Sequence, residues 1–293
     1  MATDEPSIRY LENEIKKTGK PLEIRISSIL DRRWQHVTNQ DTFYDRETRK
    51  LREIDVCASD GPTRLQNLEL EASLIVECKR SEAFSWVFFT RPFNFEIEQI
   101  AGHYIDEVQM ATKNTERMEI MQTILGKTQL HYQNTGKIAV TFDAFKTGDA
   151  RKSQFRENQN EIHEAREQLK SYIDYAIEQD VKDRIPLIPY TIEMYFPCIV
   201  FRGSMYEATV ENDDVKLRNA RHLILSTLYK SSYSIYERNL LIDVVSEEYF
   251  NDYQELIRKD IENMKQAIEA NSEAISGRIT EIVTLLESAT KAR

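Results

Sequence analysis

Asp55, Glu77 and Lys79 stand where charge is expensive. The segments "REIDVCAS" and "ASLIVECKR" otherwise read as extended and apolar. An unpaired charge among Ile54, Val56, Ile75 and Val76 would cost several kcal/mol. Side chains alternate along a strand, so Glu77 and Lys79 share one face while Val76 and Cys78 share the other. By the same rule Asp55 shares a face with Glu53 and Cys57. If a turn through Gly61-Pro62 pairs the two segments, Asp55 comes to lie beside Glu77. Two carboxylates that close repel, and one of them becomes harder to ionise unless a cation sits between them. A divalent ion such as Mg²⁺ or Mn²⁺ relieves the conflict, with Asp55, Glu77 and the backbone carbonyl of Cys78 as ligands and phosphate completing the shell. Lys79 is then placed to orient or help deprotonate an attacking water and to offset charge on phosphate. The chemistry these residues suggest is metal-assisted phosphodiester hydrolysis.

Context carries this reading more than the triplet does. Acid-x-Lys also occurs at Glu14 to Lys16, Asp180 to Lys182 and Asp214 to Lys216. Only Glu77-Cys78-Lys79 ends an apolar run and follows a strand whose acid lies 22 residues earlier. The ordinary alternative is a pair of edge strands with solvated charges.

The elements that must position these residues can be read around them. "PSIRYLENEIKK" stops at Gly19, and "PLEIRISSILDRRW" starts with Pro21 in a favoured first-turn position; both read as helices. "WQHVTNQDTFYD", "KLREIDVCAS", "LELEASLIVECK" and "SWVFFTRPF" read as strands, the middle two joined by a turn at "ASDGPTR". The stretch from about 93 to 150 is a mixed insertion with a helix around "NTERMEIMQTIL". Apolar residues at Ile162, Ala165, Leu169, Tyr172, Ile173 and Ala176 recur at helical spacing and predict a long helix from Ser153 to Glu178. "YFPCIVF", "RHLILSTLY" and "NLLIDVV" follow, the first and last reading as buried strands. This order implies an α/β or α+β layered domain. From about Glu247 the stripe Ile257, Ile261, Met264, Ile268, Asn271, Ile275 and Ile282 is heptad-like. It fits a coiled-coil extension that could form a homodimer, or one amphipathic helix folding back on its own domain.

With these residues in place, "REIDVCA", about twenty residues, then "LIVECK" resembles the PD-(D/E)XK nuclease superfamily, which includes Holliday-junction resolvases and RecB-type nucleases. The resemblance covers roughly residues 20 to 200. It implies a restriction-endonuclease-like mixed β-sheet core flanked by helices within residues 1–245, and a C-terminal helical extension over 246–293. It implies Asp55, Glu77, Lys79 and Glu23 as catalytic residues, with Glu23 also a metal ligand and Glu14 competing for that place. Many RecB-like members carry Q-x-x-x-Y on a following helix, and "EQLKSY" supplies Gln168 and Tyr172 as substrate-side residues. The basic residues Arg52 and Arg80 flank the motif strands and would face the nucleic acid, most simply DNA. Ile54 stands where the family's eponymous Pro would be. A catalytically inactive binding or interaction module on the same fold is the alternative.

Composition sets outer bounds. The chain has 293 residues and a formal net charge of -10. Residues 1–95 hold 15 Lys/Arg against 16 Asp/Glu, so the acidity lies in the remainder, with 24 against 33. The motif region is thus nearly neutral, and tight nonspecific binding to nucleic acid is not expected of the rest. Three cysteines without C-x-x-C spacing argue against a disulfide framework and point to a reducing, cytoplasmic setting. No apolar run reaches the ~20 residues that span a bilayer. The five histidines (His36, His103, His131, His163, His222) lack H-x-x-x-H spacing, and ordinary core or surface roles are expected of them. Asp243, inside "LLIDVV", is expected to be a hydrogen-bonded structural acid. Trp34, Tyr44 and Tyr104 could stack on bases, though lone aromatics usually belong to a core.

Overall fold

A computed structural model describes residues 7–65, 68–81, 83–93, 104–106, 128–146, 159–183, 190–212, 214–229, 238–277, 280–281 and 284. The elements are α1 (Ile8–Lys17), α2 (Lys20–Leu30), β1 (His36–Asp45), β2 (Lys50–Leu65), β3 (Leu68–Arg80), β4 (Phe84–Pro92), β5 (Tyr104–Asp106), β6 (Lys137–Lys146), α3 (Gln159–Asp183), β7 (Tyr190–Arg202), β8 (Met205–Glu211), β9 (Asp214–Asn219), β10 (His222–Tyr229), β11 (Arg238–Ser246) and α4 (Phe250–Ala270). The strands form one mixed sheet in the order β1-β2-β3-β7-β11-β10-β6-β4-β8-β9, with β5 paired to β7 off this path. The motif strand β3 runs antiparallel to β2 and parallel to β7, which in turn runs parallel to β11. Strands buried on both sides read as continuous apolar runs, and β3 and β7 do.

Helices cover both faces. On one, Leu22, Ile26 and Leu30 of α2 recur every fourth residue and pack with Val56, Val76, Cys78, Phe196 and Cys198. On the other, Ile162, Ala165, Leu169, Tyr172, Ile173 and Ile177 of α3 pack with Ile54, Ile75, Tyr195 and Ile199. Neighbouring residues of β3 (Ile75, Val76) thus serve opposite cores, as strand alternation requires. The mixed α/β class expected from the sequence is present.

One sequence expectation is overturned and two open ones are resolved. β2 does not turn at Gly61-Pro62 but continues to Leu65, its register slipping between Asp60 and Thr63. Pro62 has no N–H for the ladder and Gly61 takes φ +142°, so the strand bulges there instead of reversing. "RHLILSTLY" is also a strand, β10, paired with β11 and β6. The heptad-like stripe is used within the chain: Phe250, Tyr253, Ile257, Ile261, Met264, Ile268 and Ile275 are buried in the same core as α2. Asn271, which would set register in a coiled coil, instead ends α4 and donates its Nδ2 to the Ala267 carbonyl at 2.7 Å. Ile279, Ile282 and the helix expected around residues 114–125 lie outside the described residues.

Gly203, between β7 and β8, has φ +157°. A Cβ there would come 2.5 Å from the Ser81 carbonyl oxygen and 2.7 Å from the Phe201 ring. Ser81, just beyond β3, donates its N–H to the Arg202 carbonyl at 3.1 Å.

Candidate active site

Asp55 and Glu77 meet where the β2-β3 ladder ends. Its last pairing is Val56 with Val76, so the next residues along, Asp55 and Glu77, face each other at the strand opening. The Asp55 carboxylate accepts the Cys78 N–H at 2.8 Å, a bond that ties it to the neighbouring strand in place of a ladder partner. Lys79 Nζ lies 2.8 Å from Glu77 Oε2. Glu77 is 1 % exposed, and its Oε1 has no hydrogen-bond partner among the described residues.

Burial dominates the electrostatics. It pushes the Glu77 carboxyl up to about 7, against the pull of Lys79 and with Asp55 adding to the rise. Asp55 is also pushed up by burial, resisted by the Cys78 N–H and Lys79 and reinforced by Glu23. For Lys79 burial pulls downward, but Glu77 and then Asp55 outweigh it and hold the ammonium above its ordinary value. Two buried acids that resist ionisation beside one cation leave room for more positive charge.

Glu23 reaches this cluster from α2. Leu22 anchors the helix in the core, and the next residue stands at its edge, buried and 2.7 Å from Lys20 Nζ. Both Glu23 and Lys20 act electrostatically on Asp55. Glu14, on α1, is paired instead with Lys17 at 2.6 Å on an exposed surface. From the opposite face Glu161 of α3 feels Lys79.

Gln168 and Tyr172 lie on the α3 face that meets β1 and β2. Gln168 Nε2 donates to the Glu53 carbonyl, two residues from Asp55. Tyr172 donates its hydroxyl to Asp41 of β1 and packs edge-on against Phe43 at 5.3 Å. These side chains brace the strand that carries Asp55. Of the two arginines expected to face substrate, Arg80 ends β3 and is partly exposed. Arg52 is held by the buried Asp45 at 2.6 Å, on the β1-β2 hairpin. That carboxylate also accepts the Glu47 and Thr48 N–H groups, so Arg52 completes a turn. Trp34 is 5 % exposed under the Arg258 guanidinium and is core.

A second polar cluster was not visible in the sequence. His131, in a short 3₁₀ turn before β6, places Nδ1 2.5 Å from Asp260 of α4 and Nε2 3.2 Å from Asp243 of β11. His222 of β10 places Nε2 2.7 Å from the same Asp243 oxygen, and Tyr253 donates to the other at 3.0 Å. Burial pulls the His131 imidazole down, but Asp243 and Asp260 outweigh it and raise it to about 10. Burial would raise Asp243, yet His131 and His222 hold it well below the usual carboxylate range. Asp243 is the hydrogen-bonded buried acid expected of "LLIDVV". The histidines come from segments far apart in sequence, which no local spacing could reveal.

Comparison of the chain with protein-family models, with curated proteins and with solved structures returns no match. Among the described residues no helix is long and apolar enough to cross a membrane.

Proposed function

We propose that this chain is a divalent-metal-dependent nuclease of the PD-(D/E)XK kind, hydrolysing phosphodiester bonds in DNA. One observation carries the reading: Asp55, Glu77 and Lys79 converge at an opened strand end with Glu23 close by, and one Glu77 oxygen is buried without a partner. An orphaned buried carboxylate oxygen costs free energy that a bound cation would recover. Hard oxygen donors suit Mg²⁺ or Mn²⁺, held by Asp55, Glu77, Glu23 and the Cys78 carbonyl. When bound, such an ion supplies charge neutralisation to phosphate and makes water a better nucleophile at neutral pH.

Lys79 has a narrower role than deprotonation. Its ammonium is held above the ordinary lysine value, so it stays charged at neutral pH. It acts as a donor to the phosphate oxygen on which charge accumulates. Gln168 holds β2, and with it Asp55, against α3, and Tyr172 holds the neighbouring β1. Arg80, partly exposed at the end of the motif strand, is the basic residue we assign to the DNA backbone.

The test is cleavage of supercoiled plasmid, linear duplex and single strands in Mg²⁺, Mn²⁺ or chelator. Lys79→Ala and Asp55→Asn are expected to lower cleavage by about a hundred- to a thousandfold, the scale of a lost electrostatic group. Asparagine retains an oxygen for the Cys78 N–H, so circular dichroism and melting should stay near the parent. Binding of DNA without cleavage in either metal would replace this reading with an inactive binding module.

A further inference from the structure

We propose a second metal site, for a Zn²⁺-class ion, formed by His131 Nε2, His222 Nε2 and Asp243 Oδ1. These atoms lie within 4.8 Å of one another. Zinc bonds of about 2.0–2.1 Å at tetrahedral angles put donor atoms roughly 3.3 Å apart. His131 already stands 3.2 Å from Asp243, His222 at 2.7 Å needs to withdraw by about half an ångström, and the two imidazole nitrogens, within 4.8 Å of one another, need to close toward the same spacing. Two imidazoles and a carboxylate form a borderline set suited to zinc and unlike the all-oxygen set at Asp55 and Glu77.

The surroundings orient these ligands as outer partners do in zinc sites. Asp260 holds His131 Nδ1 at 2.5 Å and also accepts the His131 backbone N–H at 2.9 Å, which aims Nε2 at Asp243. Tyr253 occupies the second Asp243 oxygen and leaves Oδ1 to the histidines. His131, His222 and Asp260 line a cavity of about 520 Å³ whose wall also carries Lys137, Lys259 and Asn263. With two of the three ligands, His131 and His222, on the cavity wall, a fourth position is left for water or an anionic ligand.

The test uses the full chain stripped with chelator and titrated with Zn²⁺ against a chromophoric competitor, in the parent, in Asp55→Asn and in His222→Ala. One equivalent is expected in the parent and in Asp55→Asn. His222 is partly exposed, and its removal should leave folding intact while weakening zinc at least about a hundredfold. Co²⁺ in the parent should give the intense visible absorption of a four- or five-coordinate site. No bound zinc in the parent, undiminished binding in His222→Ala, or the weak spectrum of six-coordinate Co²⁺ would each overturn the proposal.

Discussion

Glu77 links stability to pH at a single residue. Its carboxyl is raised in the folded protein from 4.5 to about 7, so the folded state binds the proton more tightly than the unfolded chain. The associated stability is present below about pH 4.5 and lost as pH rises through about 7, on the order of 3 kcal/mol. Lys79 stays charged across that window and does not blur it. Denaturation in urea with chelator present should show the parent losing ground to Glu77→Gln between about pH 4.5 and about pH 7. Parallel curves would refute the linkage. Glu77 and Lys79 were legible in the sequence because alternation along β3 is local; β2 breaks it at Asp55, where Ile54 joins the α3 core and Val56 the α2 core. The histidine cluster was not, because residues 131, 222, 243 and 260 meet only through the β6-β10-β11 order and the return of α4.

Among elements, α3 carries the clearest consequence. The four-residue spacing of Gln168 and Tyr172 put both on one helical face, and that much followed from 3.6 residues per turn. What they touch did not follow, because it depends on β1 and β2 crossing beneath the helix. Tyr172→Phe removes the donor to Asp41 but keeps the ring contact with Phe43. It is expected to cost about 1 kcal/mol, read from the urea midpoint. An unchanged midpoint would mean that the hydroxyl bond contributes nothing net. The turn expected at Gly61-Pro62 shows the limit of residue signals: glycine and proline mark irregular backbone, and a bulge satisfies them as well as a reversal does.

For the whole molecule, one sheet with two covered faces accounts for the tail. A stripe of apolar residues shows that a helix buries one side and not what it buries that side against. Here α4 lies on the core that also receives α2. Ile257, fully buried, should cost about 2–5 kcal/mol when cut back to alanine. The parent's melting midpoint should not change with protein concentration, since the face is filled from within. A midpoint that climbs with concentration would point to a partner copy on that face.

Gly203 shows how a position with no chemistry of its own can govern the chemistry elsewhere. Its missing side chain lets the β7-β8 connection press against the Ser81 carbonyl, two residues past Lys79. A methyl group there would have to push that backbone aside, and the motif lysine would shift with it. Displacements of about 1 Å can cost about a hundredfold in rate. Gly203→Ala should therefore blunt plasmid cleavage while every carboxylate and the lysine remain in the chain. Full activity in that variant would mean that the end of the motif strand yields without carrying its lysine along.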